Sequence, residues 1–135
     1  MTAKQNSKAL HISLWVAQIL LALAFGMSGF MKISMPIADL AANGLGFVTR
    51  YSEGMVRFIG TMEVLAALGL ILPAALRIKT ALTPLAAVGL ALIMILAINE
   101  HVSQDEPIVP NIILFAIASF IAWGRFKAAP IQSKK

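Results

Sequence analysis

Four long apolar blocks constrain the fold of this chain more than any other feature of its sequence. They cover residues 12–31, 55–76, 81–99 and 108–124, and each is apolar around its whole circumference. A helix needs about 20 such residues to cross the roughly 30 Å hydrocarbon layer, and lipid tolerates only backbones that are hydrogen-bonded internally. The blocks predict a polytopic all-α protein, a four-helix bundle in the lipid bilayer, with residues 1–135 forming one domain.

The connector between the first two blocks is the longest, at residues 32–54. It contains turn-forming Pro36 and Gly44, but Leu40, Leu45 and Phe47 make it too apolar for a free linker. We expect an interfacial loop segment, amphipathic or re-entrant, between helices 1 and 2.

The charge pattern points to a membrane and away from nucleic acid. The chain is 59% hydrophobic and only 13% charged, with a net charge of +5. Its Lys and Arg residues flank the apolar blocks, whereas a nucleic-acid site would cluster them on one soluble face. We therefore predict no nucleic-acid partner.

The same charges predict the orientation of the helices, because cytoplasmic loops carry an excess of Lys and Arg. The side that holds the N-terminus, the second connector and the C-terminus carries eight such residues, and the opposite side carries three. This bias predicts that both termini are cytoplasmic (N-in, C-in) and that the chain lies in the cytoplasmic membrane. The tail, residues 125–135, reads as a basic, frayed end.

No self-contained catalytic or metal motif is present in the sequence. There is no Cys, which removes thiol chemistry and Cys-ligated clusters. His11 and His101 fall at opposite ends of the bundle, about 30 Å apart, and cannot jointly ligate one haem. A haem held by one His and one Met is conceivable, but the seven Met residues are better explained as packing residues. The sequence predicts no metal site and leaves open whether the chain is an enzyme.

Glu63 is the most informative single residue because it lies inside the second block. It follows Arg57 by six residues, which places it about 9 Å deeper along a helix. A carboxylate there costs roughly 2.5–3.5 kcal/mol on insertion scales, so it should face the bundle and be paired or protonated. Two interpretations stay open: a ligand-binding or proton-handling group, and a polar staple between helices.

Lys32 directly follows the first block and closes the first helix, on the same side of the membrane as Arg57. Its long stem can snorkel and reach a carboxylate about one turn deeper. For both basic residues the alternative is a plain interfacial anchor.

His101 and Asn111 border the third connector, which the topology puts at the level of Lys32. Side chains from different helices at one depth can form a site. The alternative is that His101 is a loop residue in water and that Asn111 caps a helix. Glycines within the blocks should let helices approach closely, and Gln18 should hydrogen-bond between helices; the glycines are Gly26, Gly29, Gly60, Gly69 and Gly89.

Taken together, these segments resemble the DoxX-like family of small four-helix membrane proteins. The resemblance is carried, in order, by residues 24–32, 58–65 and 70–73, then by His101 and residues 111–114. It covers nearly the whole chain, and Lys32, Glu63, His101 and Asn111 match its polar positions.

The resemblance implies a membrane protein associated with redox chemistry, without fixing a reaction. It favours an accessory or quinone-associated subunit of a membrane redox system, with quinone as the possible cofactor. Two other functions stay open: an assembly or partner-binding protein, and a small-solute permeation protein. The partners would be a membrane redox protein or further copies of the chain.

Overall fold

The computed structural model describes residues 3–134, which contain helices and no strands. The elements are α1 (Ala3–Ser34), α2 (Ile37–Ala42), a 3₁₀ turn (Gly46–Thr49), α3 (Glu53–Leu76), α4 (Leu82–Ser103), α5 (Val109–Trp123) and a π-helical turn that continues α5 (Gly124–Ala128). Within the described residues, four segments are long and apolar enough to cross a membrane: Ser7–Ser34, Glu53–Leu76, Leu82–Ser103 and Val109–Ala128. The predicted all-α, four-span membrane architecture is confirmed.

Three helices extend beyond the apolar blocks that predicted them, α3 by only two residues, at Glu53. The first block began at residue 12, whereas α1 begins at Ala3, because the preceding residues include no helix breaker. The third block ended at residue 99, whereas α4 continues to Ser103. His101 is therefore a helical residue and is not part of the connector.

Local sequence accounts for where the helices begin and end. The Ser52 side chain accepts a hydrogen bond from the Met55 backbone N–H at 3.2 Å and so caps α3. Pro84 lies in the first turn of α4, where its missing N–H is not needed. Gly44, with φ of +93°, provides the left-handed turn that follows α2.

A buried stripe on each of α1 and α3 forms the centre of the bundle. On α3 the buried residues recur at spacings of four and three: Val56, Gly60, Glu63, Ala67, Leu70 and Ala74. On α1 the buried stripe includes Leu14, Gln18, Leu21, Phe25 and Lys32. Large apolar side chains cover the opposite faces, such as Met27 at 68% exposure and Phe30 at 65%, as expected of helices in contact with lipid.

The segment between α1 and α3, residues 35–52, is here called the strap. Its Leu40 and Val48 are buried together with Val56 of α3, and Met31 and Met35 pack around them. The predicted segment between the first two spanning helices thus folds as a short helix and a 3₁₀ turn against the bundle.

The strap and the α4–α5 connector lie at one end of the bundle, here called the strap end. The other end, the termini end, holds the start of α1, the tail up to Lys134 and the α3–α4 turn. There the Lys134 backbone N–H donates to the Arg77 carbonyl at 2.7 Å, and the Arg77 side chain donates to the Gln132 carbonyl at 2.8 Å. The tail up to Lys134 is therefore docked rather than frayed; cytoplasmic placement of this end stays a prediction.

Candidate functional site

A cavity of about 540 Å³ lies in the strap-end half of the bundle. Its walls come from α1, the strap, α3, α4 and α5. Apolar side chains dominate the lining, among them Phe25, Phe47, Phe58, Met62, Met94 and Leu114. The polar lining residues are Ser28, Lys32, Tyr51, Glu63, Asn99, Glu100, His101 and Asn111.

An ion pair between Lys32 of α1 and Glu63 of α3 forms the polar wall of the cavity. Lys32 Nζ lies 2.5 Å from Glu63 Oε1, and the two side chains are only 10% and 1% exposed. Lys32 Nζ also donates to Ser28 Oγ at 2.9 Å. The attraction between the two charges offsets part of the desolvation cost of burying them.

Both members of this pair keep hydrogen-bonding capacity. A Lys ammonium has three N–H donors, and Lys32 uses two of them, on Glu63 and Ser28. Glu63 Oε2 accepts no hydrogen bond from the described residues, yet no buried polar side-chain atom there lacks a partner. Because Glu63 lines the cavity, Oε2 is the carboxylate oxygen left for a ligand bound there. The wall offers one unused donor beside one unused acceptor.

Two facing glycines hold the backbones of α1 and α3 close enough for this pair to form. A Cβ added at Gly29 would lie 2.6 Å from the Gly60 carbonyl oxygen, and one added at Gly60 would lie 2.7 Å from Lys32 Cβ. A side chain at either position would push the helices apart. By contrast, a Cβ at Gly89 would meet nothing within 4 Å, so the expectation that this glycine serves close packing is wrong within the chain.

A group of charged and polar residues joins the strap to the end of α4 and the connector that follows it. Arg50 Nε lies 2.6 Å from Glu100 Oε1, Arg50 Nη2 lies 3.2 Å from Glu106 Oε1, and the Tyr51 hydroxyl donates to Glu100 Oε2 at 2.8 Å. The bond to Glu100 raises the pKa of the Tyr51 phenol above its ordinary value, because it stabilises the protonated form. We call Arg50, Tyr51, Glu100 and Glu106 the clasp.

His101 and Asn111 both line the cavity, on α4 and α5 respectively. His101 Nδ1 lies 3.2 Å from Glu106 Oε1, and the Asn111 amide makes only a 3.7 Å contact to the Met94 sulfur. The structure thus brings Lys32, Glu63 and both of these residues to one cavity.

Arg57, the fifth candidate, does not line the cavity. Its guanidinium donates to the backbone carbonyls of Lys32 at 2.7 Å and Met35 at 2.6 Å, and pairs with Glu53 at 3.0 Å. The Lys32 carbonyl belongs to the last turn of α1, where carbonyls lack an intrahelical partner, and Met35 is the first residue of the strap. Arg57 ties the end of α1 to α3.

The termini end contains a second polar cluster that sequence reasoning missed. Arg125, only 4% exposed, donates from Nε to Gln18 Oε1 at 2.7 Å and lies 3.0 Å from His11 Nδ1. Gln18 in turn donates to the Leu70 carbonyl at 2.7 Å, as its mid-helix position predicted. One signal was available: His11 and Gln18 are seven residues apart, and so lie on one face of a helix.

The chain was compared with family models, curated proteins and solved structures. Neither the curated proteins nor the solved structures contain a protein that matches this chain. The family described as DoxX-like matches residues 16–124, a region that contains all five candidate site residues. That region covers most of the described bundle. The chain belongs to the DoxX-like family of membrane proteins.

Proposed function

We propose that this protein is an accessory, quinone-binding subunit of a membrane redox system, and that the quinone headgroup lies against the Lys32–Glu63 pair. The observation that carries the proposal is the unused donor and acceptor on a sheltered ion pair in the wall of an apolar cavity.

The cavity suits a small lipophilic molecule with a compact polar group. Its volume of about 540 Å³ lies within the roughly 300–1,000 Å³ of small-molecule sites, and such sites combine apolar walls with a few polar groups. Aromatic side chains such as Phe25 and Phe58 offer faces for a flat ring.

The polar wall matches both forms of a quinone. The free N–H of Lys32 can donate to a carbonyl oxygen of the oxidised ring. The free Oε2 of Glu63 can accept from a hydroxyl of the reduced ring. A bound quinone would supply two-electron, two-proton chemistry at its ring, while Lys32 and Glu63 would orient it and hold protons near its oxygens.

The role is accessory because the cavity provides binding and proton-handling groups only. The two electrons would come from a redox centre on a partner protein. We propose the cytoplasmic membrane as the location, with the termini end cytoplasmic, on the charge bias of the connectors.

Equilibrium binding of decylubiquinone to the protein in lipid nanodiscs tests the proposal. A hydrogen bond to a charged group contributes about 1.5–3 kcal/mol, so Lys32→Met should weaken binding by about 10- to 100-fold. Glu63→Gln should weaken binding of the reduced form more than that of the oxidised form.

Arg57→Gln is the matched control, because Arg57 is a neighbouring basic residue that does not line the cavity. It should bind decylubiquinone as the unaltered protein does. Absence of binding to the unaltered protein, or equal affinity of the Lys32 variant and the control, would overturn the proposal.

A second candidate function, partner binding or assembly, is favoured by a separate observation. A groove of about 370 Å³ runs between α1 and α3 on the outside of the bundle, with the small residues Ala22, Gly26 and Ala67 among its lining. Small residues allow close packing of a helix from another membrane protein. Mass spectrometry of co-purified proteins, with Gly26→Leu as the variant that fills the groove, distinguishes this function: loss of a partner without loss of quinone binding would favour it.

A further inference from the structure

We infer that the ligand of the cavity enters and leaves sideways, from the hydrocarbon layer, through a gap between the strap-end halves of α3 and α4. The ligand class that follows is a membrane-dissolved molecule, whereas a water-soluble solute would need an aqueous opening. The inference rests on the proposed function only for the identity of the ligand.

At the termini end, α3 and α4 are in close contact. Thr83 Oγ1 donates to the Gly69 carbonyl at 2.8 Å, and a Cβ at Gly69 would lie 3.0 Å from Ala86 Cβ. Thr83, Ala87 and other residues in this part of α4 are buried. No gap for a ligand exists here between the two helices.

At the strap end, residues of both helices that line the cavity are also exposed on the outside of the bundle. Within α4, all of which is described, the last buried residue is Met94. Leu96 of α4 and Phe58 of α3 both line the cavity, yet they are 69% and 57% exposed. Met62 of α3 also lines the cavity and is 36% exposed. These three rim residues are apolar, as a boundary with lipid tails requires, and the exposed Asn99 of α4 lies at the connector side of the gap.

The strap covers the cavity on the side of the aqueous connectors. Phe47 lies over Lys32, with the ammonium 5.7 Å from the ring centroid, and Lys32 is only 8% exposed. Arg50 fastens this part of the strap to Glu100 of α4 at 2.6 Å. The ion pair is thus screened from water, while the apolar side of the cavity faces lipid.

Cysteine labelling in nanodiscs tests this route, because the native chain has no cysteine. The reporter is Leu114→Cys, a half-buried cavity residue on α5, with Ser28→Cys, a half-buried cavity residue on α1, as a second reporter should the first fail to fold. Each is treated with pyrenyl maleimide, which dissolves in the bilayer, and with a sulfonated maleimide, which stays in water. We expect labelling by the first reagent and none by the second.

Two second-site variants locate the entrance. Leu96→Trp narrows the gap and should slow labelling of the reporter by the pyrenyl reagent about tenfold, which corresponds to a barrier about 1.4 kcal/mol higher. Leu92→Trp is the matched control, since Leu92 is 57% exposed on the same helix without lining the cavity, and it should leave the rate unchanged. Arg50→Gln, which opens the clasp, should also leave that rate unchanged.

Three results would overturn lateral entry: labelling by the sulfonated reagent, no labelling by the pyrenyl reagent, or equal rates for the Leu96 and Leu92 variants. Because the assay contains no quinone, its result is separate from that of decylubiquinone binding. Lateral labelling without quinone binding would keep the lateral route and reject the proposed ligand.

Discussion

Replacing Glu63 by Gln should lower the free energy of unfolding by much more than the loss of an exposed ion pair does. Glu63 is 1% exposed, and its Oε1 lies 2.5 Å from Lys32 Nζ. Removing one member of a buried pair leaves the other charge uncompensated, which costs about 3–5 kcal/mol. Because Lys32 lies in the last turn of α1, its ammonium can move toward the interface, so we expect the lower end of that range.

Removing both charges should cost much less than removing one. Apolar residues of similar size in place of a buried pair are often neutral or stabilising, by about 1–4 kcal/mol. The double variant Lys32→Met/Glu63→Leu should therefore be more stable than Glu63→Gln, and the effects of the single substitutions should not add.

Denaturant unfolding in detergent micelles, followed by circular dichroism, measures these differences. Glu53→Gln is the control, because Glu53 pairs with Arg57 while 66% exposed, and its loss should cost no more than about 0.5 kcal/mol. A Glu63→Gln variant as stable as the Glu53→Gln control would refute the claim that the bundle shelters a charged pair.

Three further predictions concern other parts of the bundle. Gly60→Ala should destabilise by about 1–3 kcal/mol, because its Cβ would lie 2.8 Å from the carbonyl of the facing glycine, whereas Gly89→Ala should not destabilise; equal unfolding midpoints would contradict this. Arg125→Leu should cost about 1–3 kcal/mol, because its partners at the termini end stay buried without it, and a thermal midpoint equal to that of the unaltered protein would be the contrary result. The single tyrosine, Tyr51, should titrate by ultraviolet absorbance above its ordinary pKa of 10.0, and Glu100→Gln should lower that midpoint. Because folding raises the pKa of Tyr51, its hydrogen bond to Glu100 stabilises the protein below the ordinary pKa, and this stabilisation is lost as the pH rises through the raised pKa. A titration midpoint at the ordinary pKa would show that the Tyr51–Glu100 hydrogen bond does not form.

The sequence predicted the bundle and the inward direction of Glu63 because the membrane leaves few alternatives. A span must be helical, and a carboxylate within it must face other helices. On α3 the stripe that contains Glu63 also contains Gly60 and Ala67, at the spacing of one buried helix face. The match of Lys32 to Glu63 followed from its length and its position at the end of the same side.

The termini-end cluster and the clasp were harder to predict, because they depend on contacts distant in the chain. Arg125 bonds to Gln18 and His11, which precede it in the sequence by 107 and 114 positions. A basic residue at the end of an apolar block is ordinarily an exposed anchor. Arg50 likewise meets Glu100 only because the strap folds back over the bundle. The seven-residue spacing of His11 and Gln18 marks only the α1 side of the first contact, and no periodicity points to Arg125 or to Arg50 as the partner.

Infrared difference spectroscopy of a quinone with isotopically labelled carbonyls, bound to the protein in nanodiscs, would test the Lys32–Glu63 site most directly. A hydrogen bond from the Lys32 ammonium weakens the C=O bond, so one carbonyl stretch should lie at lower frequency than in the bilayer alone, and Lys32→Met should abolish the shift. A carbonyl frequency equal to that of free quinone in the same lipid, or a shift that survives in the Lys32 variant, would contradict the proposed site.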